Sequence, residues 1–326
     1  MVHPISYILR QAYARKKYNI LCFATHEGYQ TNLSKTGHNF IMCKVPNSKE
    51  WDFHTRPLPP NHYIYPISDP SPKFNFEIDL ILSQERFNQL PMALELQRVC
   101  GAPVIHLEHT EPHTSLNQKK LEKVIQVRAN KHVYITEHNK NSWQDTNGTV
   151  ILHGIDDNIF NNWIGGENSG ASVVNLFPQR DIFCGWNLWQ QITSKANTTL
   201  YGYNPGLSES IPSDVLLAEK LRKHAYFLNT SLLSPIPLSL LEAACIGMPI
   251  VSTAYQEVPK IFTHNKNALL ANDTKTLTEY CQFFLNNPEV ARNFGQQARI
   301  LMQEKFSITS FVNNWNNVFD EVVNAN

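Results

Sequence analysis

What this sequence lacks narrows its reading first. No stretch approaches the roughly 18 uninterrupted apolar residues of a membrane-spanning helix, so none is expected. There is no excess of charge of either sign: 28 Lys and Arg balance 28 Asp and Glu. Dedicated nucleic-acid binders are usually basic, so no nucleic-acid partner is expected. Cys-x-x-Cys pairs are absent as well. The six cysteines (Cys22, Cys43, Cys100, Cys184, Cys245, Cys281) are scattered, several in apolar runs, and read as free buried thiols of a reducing, cytoplasmic compartment. There is no Asp-x-Asp string, no short internal repeat and no low-complexity tract beyond a surplus of Asn. The N-terminal run PISYILRQAYARKK (4–17) is too short for a secretory signal, and its charge follows the apolar part. It reads as an amphipathic helix with a basic end, either solvated or in weak contact with a membrane surface.

What is present suits an ordinary globular protein. Apolar residues make up 42% and aromatics 11%, enough for cores and too many for an acidic disordered chain. A length of 326 residues suggests two domains. In the first half, strand-like runs at 18–23, 38–45, 78–83, 103–107, 133–136 and 149–152 alternate with helical segments at 30–36, 87–99 and 117–126. Gly37 and Gly101 are placed to stop the first two helices. The Pro- and aromatic-rich stretch 47–73 reads as a long surface loop. A Gly-, Asn- and Asp-rich segment at 154–170 then marks a linker. After it the alternation restarts: strands at 173–176, 198–202, 225–228 and 249–253, helices at 184–192, 214–222 and 239–246. The end is helical over 276–285, 288–305 and 307–323, the last with Phe311, Trp315, Val318, Phe319 and Val322 on one stripe. Strands spaced by helices predict β-α-β units, parallel sheets and an α/β fold in two halves.

The chemistry concentrates in NTSLLSPIPLSLLEAACIGMPIVST (229–253): strand end, proline-punctuated loop, helix, glycine stop, strand. The free N–H groups of the helix that starts after Pro237, from Leu238 on, suit a phosphate. Glu242 lies in the first turns, where a carboxylate can accept two hydrogen bonds from sugar hydroxyls. Taken alone, a glutamate there usually complements the helix dipole. In an open α/β domain this loop lies at the carboxyl ends of the strands, where ligands bind.

PLSLLEAACIGMPIVST resembles the C-terminal signature of the family 4 retaining glycosyltransferases of the GT-B fold, E-G-F-G-L-P-L-L-E-A-M-A-x-G-x-P-V-V-A-T. EVPKIFTHNKNALLAND (257–273) and NNPEVARNFGQQARILMQEKFS (286–307) resemble the segments that follow it. VILHGIDDNIF (150–160) resembles the segment joining the two domains, and THEGYQTNLSKTGHNF (25–40) the first strand-loop-helix. The resemblance implies two Rossmann-like, doubly wound domains facing across a cleft. The acceptor domain would span 1–154 and be joined by the helix 307–326; the nucleotide-sugar domain would span 155–306. It implies transfer of a sugar from a nucleoside diphosphate sugar, a co-substrate, to a glycan, lipid-linked or other hydroxyl acceptor, with retention and with no cofactor or metal.

Residue by residue, the resemblance gives Glu242 the ribose hydroxyls. The glutamate that usually precedes it by eight positions is here Ser234, and Pro235 and Pro237 replace small residues around it. The Arg and Lys that many members carry five apart are here Asn175 and Arg180, which leaves Arg180 to compensate the departing diphosphate or to make a plain surface contact. Gln256 and Glu257 stand where Gly-Gly is frequent, and Lys260 where Glu is frequent. In the first half, His109 after the strand PVIHL is the candidate for the donor sugar or phosphate, while His106 within the strand reads as core. Gly28 lies in a loop where the family carries glycines for close backbone approach, or in a simple strand-to-helix turn. The string H-L-E-H-T-E-P-H (106–113) departs from the H-E-x-x-H order of helical zinc sites, and Pro112 would break such a helix. The loss of one Glu and one cation also permits a non-catalytic nucleotide-sugar binder.

Overall fold

The computed structural model describes residues 17–45, 48–67, 72–112 and 117–325. Most of the basic N-terminal segment and His113 therefore lie outside the described residues. The chain divides into two compact units. The first comprises 1–52, 58–152 and 309–326; the second comprises 53–57 and 153–308. The short segment Phe53–Pro57, which sequence order places in the first half, thus belongs to the second unit.

The first unit is a seven-stranded parallel sheet, β1 (Asn19–Cys22), β2 (Asn39–Lys44), β3 (His62–Pro66), β4 (Leu80–Ser83), β5 (Val104–Glu108), β6 (Lys131–Tyr134) and β7 (Thr149–Val150), in the order β3-β2-β1-β4-β5-β6-β7. The central strands NILC, LILS and VIHLE are buried along their whole length, as apolar runs covered on both faces should be. Helices α1 (Glu27–Leu33), α2 (Gln89–Cys100), α3 (Gln118–Ile125) and α4 (Glu137–Ser142) connect them. Side chains cap three of the four: His26, Asn117 and Thr136 each accept a backbone N–H three residues on. Glycines end the early helical segments in the left-handed conformation, Gly37 at φ 83° and Gly101 at φ 76°.

The second unit holds β8 (Gly170–Val173), α5 (Asp181–Cys184), α6 (Trp186–Thr193), β9 (Thr198–Tyr201), α7 (Asp214–Leu221), β10 (Phe227–Asn229), α8 (Leu238–Ile246), β11 (Ile250–Thr253), α9 (Val258–Ile261), β12 (Leu269–Ala271), α10 (Thr274–Asn286) and α11 (Pro288–Lys305). Its five parallel strands run β12-β11-β10-β8-β9. Two arginines bind the start of this unit to its body. Arg222 donates to the Ile159 and Asn161 carbonyls, and Arg299 to the Phe160 and Cys245 carbonyls. The final helix, α12 (Ile308–Asn324), adds its Phe311–Val322 stripe to the first unit.

Three sequence expectations are corrected. The loop expected over 47–73 contains β3, a half-exposed edge strand whose Pro66 and alternating exposure hide it. The strand expected at 173–176 lies instead at Gly170–Val173, opening on a glycine because the ring of Tyr226 fills the space a side chain there would need. The helix expected over 184–192 is broken at Gly185, φ 74°, where any Cβ would collide with the Thr230 carbonyl. The polar helix α4, which has no apolar stripe, and β12, apolar but only three residues long, were not expected. All six cysteines are free, and five are buried. No helix among the described residues is long and apolar enough to cross a membrane.

Candidate active site

Strand order locates the sites. In an open parallel sheet the loops diverge where the winding reverses, and ligands bind outside the carboxyl ends there. In the second unit this point lies between β8 and β10. The loop after β8 carries Asn175 and Arg180; the loop after β10 leads through Ser234 to α8 and Glu242. Ser239 in the first turn of α8 donates to the Val173 carbonyl at the end of β8 (3.1 Å), so the two loops meet.

Each loop is fixed by its own hydrogen bonds. Asn204 accepts from the Phe177 N–H (2.6 Å) and donates to the Val174 carbonyl (2.8 Å). Asn175 accepts from the Tyr203 N–H (2.9 Å). Thr230 donates to the Cys184 carbonyl, and the N–H groups of Leu232 and Leu233 donate to the Phe183 carbonyl. Pro237 is the N-cap of α8 in an extended conformation, and Leu238 is its first residue. No side chain caps that helix end, which leaves its first N–H groups available to an anion. Ser234 is half-buried in the preceding loop. Arg180 is exposed at the end of a 3₁₀ turn, its guanidinium 3.4 Å from the Asn175 carbonyl.

Glu242 is only 4% exposed. Its neighbour is one that sequence reading missed. Arg56, from Phe53–Pro57, places Nη2 3.5 Å from Glu242 Oε1 and pairs closely through Nε with Asp214 at the start of α7. Burial pushes the Glu242 carboxyl up to about 7; Asp214 adds to the shift, and Arg56 opposes it. Arg56 lies 186 positions from Glu242, and no local pattern announces it. The only sequence hint was the missing cation at Asn175. Gln256 takes φ 54°, a left-handed position, which accounts for the glycine of the family pattern at that loop.

In the first unit the reversal lies between β1 and β4. His109 follows β5 and is half-buried. It stacks on His26 (5.5 Å) and meets Tyr29 edge-on (4.8 Å). A polar chain runs inward from it. His109 Nε2 lies 3.1 Å from Gln84 Oε1, Gln84 Nε2 donates to Gln30 Oε1 (2.6 Å), and Gln30 Nε2 lies 2.9 Å from His62 Nε2. Burial lowers the His62 pKa to about 3, so that ring is neutral. It accepts at Nε2 and donates from Nδ1 to Asn61 Oδ1 (3.2 Å). The amides then all point one way, and His109 carries its proton on Nε2.

His106 is fully buried between Ser83 (2.8 Å) and Glu108 (3.3 Å). Glu108 in turn accepts from Arg86 Nε (2.8 Å) and from Thr110. Burial opposes its charge, but His106 and Arg86 outweigh that and hold the carboxyl below its usual range. Within 106–111, His106 and Thr110 both pair with Glu108, while His109 turns to Gln84 and Glu111 to His138. Among the described residues no three His, Cys, Asp or Glu converge as a metal site. Gly28 lies inside the first turn of α1, buried, not in a loop.

Residues 190–301 match the family described as glycosyl transferases group 1. No curated protein sequence matches the chain. Among solved structures it is similar to sucrose-phosphate synthase from Thermosynechococcus elongatus, with TM-score 0.71, 13% identity, and 95% of this chain and 100% of that chain covered. It is similar to Anabaena HepE in complex with UDP and glucose at TM-score 0.71 and 9% identity, covering 92% of this chain and 99% of that one. It is also similar to the UDP-forming α,α-trehalose-phosphate synthase from Burkholderia vietnamiensis at TM-score 0.64 and 9% identity, covering 94% and 99%. The fold is GT-B. The glycosyltransferase resemblance read from the sequence is met by that family model over 190–301 and, at the level of the fold, by these structures. The matched segment contains α8 and Glu242; Asn175, Arg180 and the GT-B chain's first unit lie outside it.

Proposed function

We propose that this protein transfers a sugar from a nucleoside diphosphate sugar to a hydroxyl acceptor with retention of configuration. One observation carries the reading. A helix with an uncapped N-terminus and a buried carboxylate stands at the switch point of the unit whose sequence matches group 1 glycosyl transferases. Glu242 would hold the ribose, and the N–H groups of Leu238 and Ser239, just after the N-cap Pro237, the diphosphate. Arg180 would meet the charge that grows as the diphosphate departs, the principal electrostatic demand of the reaction. The acceptor would then attack the same face and pass its proton to the departing phosphate. No protein nucleophile is required. Charge compensation is assigned to Arg180 and backbone donors, since the sequence has no Asp-x-Asp pair to seat a metal ion. His109, whose Nε2–H is committed to Gln84, would contact the donor sugar with the rest of its ring, and the acceptor would be held mainly by the first unit. Ser234 in place of a glutamate leaves the sugar to be read by other groups.

The same two substitutions, Ser234 and Asn175, favour one second reading: a nucleotide-sugar binder without turnover. The test is thermal stability against a panel of nucleoside diphosphates and their sugars, followed by product analysis with the sugar that binds. A ligand at 100 times its Kd adds about 2.7 kcal/mol, an easily seen shift. A selective shift with turnover supports the transferase, and a shift without turnover of any acceptor supports the binder. No shift with any nucleotide would overturn both.

A further inference from the structure

The second unit contains five residues that sequence order assigns elsewhere. The chain leaves the first unit after Asp52, contributes Phe53–Pro57 to the second, and returns at Leu58. Three consecutive side chains of this segment engage the positions that the donor would need. The His54 ring stacks on Tyr203, centroids 5.6 Å apart and planes 12° apart, as a nucleobase stacks on an aromatic ring. Thr55 Oγ1 accepts from Asn175 Nδ2 (3.2 Å), on the loop after β8. Arg56 covers Glu242 and pairs with Asp214. The side chains of Arg56 and Glu242 are only 9% and 5% exposed, so a ribose cannot reach this carboxylate while Arg56 is in place.

We propose that Phe53–Pro57 is a built-in competitor, a strap that occupies the nucleotide site of the second unit and is displaced when a nucleoside diphosphate binds. The inference rests on the donor reading given above. The way the strap is held supports displacement. Phe53, its one large apolar side chain, is 57% exposed, so little apolar surface holds the segment down. Its hold is polar and aromatic, of the kind a ribose and a base can replace. The contact to Glu242 is long at 3.5 Å, and Asp214 keeps Arg56 partnered once Glu242 turns to the ribose.

A site occupied by its own strap binds with an affinity reduced by the fraction of open molecules. Two variants open it by different routes. Arg56→Ala removes the cover over Glu242, and the double variant H54A/T55A loosens the strap without touching either acid. Titration calorimetry with UDP, GDP and ADP on wild type and both variants reads the effect. Amide hydrogen exchange of the segment, with and without the nucleotide that binds, gives an independent readout.

The expected result is about tenfold tighter binding of one nucleotide in both variants, with faster exchange over 53–56 when it binds the wild type. Equal or weaker binding in both variants overturns the strap, and weaker binding in Arg56→Ala alone makes Arg56 a donor-holding residue instead. Binding to the wild type that leaves exchange over 53–56 unchanged or slower also overturns it. If none of the three nucleotides binds wild type or variants, the donor reading fails and the strap with it.

Discussion

Glu242 sits where three demands conflict. Burial favours its neutral form, Asp214 reinforces that, and Arg56 favours the ionised form. The first two win, raising its pKa from 4.5 to about 7. An acid raised in this way binds more protons folded than unfolded. Its contribution to stability is therefore full below about pH 4.5 and is lost as pH climbs toward about 7. Glu242→Gln keeps the volume and cannot ionise. Urea denaturation across pH should show wild type falling relative to this variant by on the order of 3 kcal/mol between pH 4.5 and 8, since each pKa unit is worth about 1.4. A flat difference would mean that Arg56 governs the site and the carboxylate ionises normally.

A second buried glutamate has the opposite balance. Glu108, 1% exposed, is held ionised chiefly by His106 and Arg86, and the Arg86 guanidinium also lies over the Trp143 ring at 4.3 Å. Arg86→Met should cost about 3–5 kcal/mol in the first unit, because it leaves a carboxylate buried without its cation. A change below 1 kcal/mol by denaturation would show that water reaches Glu108. The contrast between these two glutamates also marks how far sequence reading goes at single positions. Glu242 stands in a recognisable string. Arg56, which shares its environment, comes from a loop in the other half and is related to it only through space.

At the scale of elements, the punctuation was legible and the small or half-exposed strands were not. Gly37, Gly101 and Gly247 stop helices where the sequence placed them, because only a left-handed residue closes those ends without strain. The helix over 288–305 was read to the residue, since Pro288 sets its start and its stripe runs unbroken. β3 was hidden because an edge strand needs only one buried face, and β8 because GASV carries little apolar bulk. That economy of side chains recurs where α8 meets α11. A Cβ on Gly295 would fall on the Gly247 carbonyl oxygen, so the two backbones are in contact there. Gly295→Ala keeps a good helix former, which would gain about 1 kcal/mol in an open helix. Here the clash should reverse the sign and cost about 1–3 kcal/mol, read as a lower Tm. A raised Tm would mean that α11 can slide to make room.

At the scale of the whole chain, the two units depend on sequence order in different ways. The second is nearly continuous, from His153 to Ile308. The first is incomplete until the final helix has joined it. The stripe of α12 is buried there: Trp315 donates to the Tyr29 hydroxyl (3.0 Å), Phe311 meets the Tyr29 ring at 5.3 Å, and Asn316 contacts His38 (3.1 Å). Tyr18 at the other end of the chain donates to Asp320 (2.6 Å). At about 1.5–3 kcal/mol for each of the five apolar side chains of the stripe, their burial adds roughly 8–15 kcal/mol, as much as the net stability of an ordinary domain. The sequence showed the stripe and its need for a partner, but the groove itself is assembled from Tyr29 of α1 and from Tyr18 and His38, which stand just before β1 and β2. A chain ending at Ser307 should therefore lose protection in hydrogen exchange over β1, β2 and β4 while β10 and β11 stay protected. Retained protection in β1 would mean that the first unit folds without its last helix, and that the stripe tunes stability without deciding it.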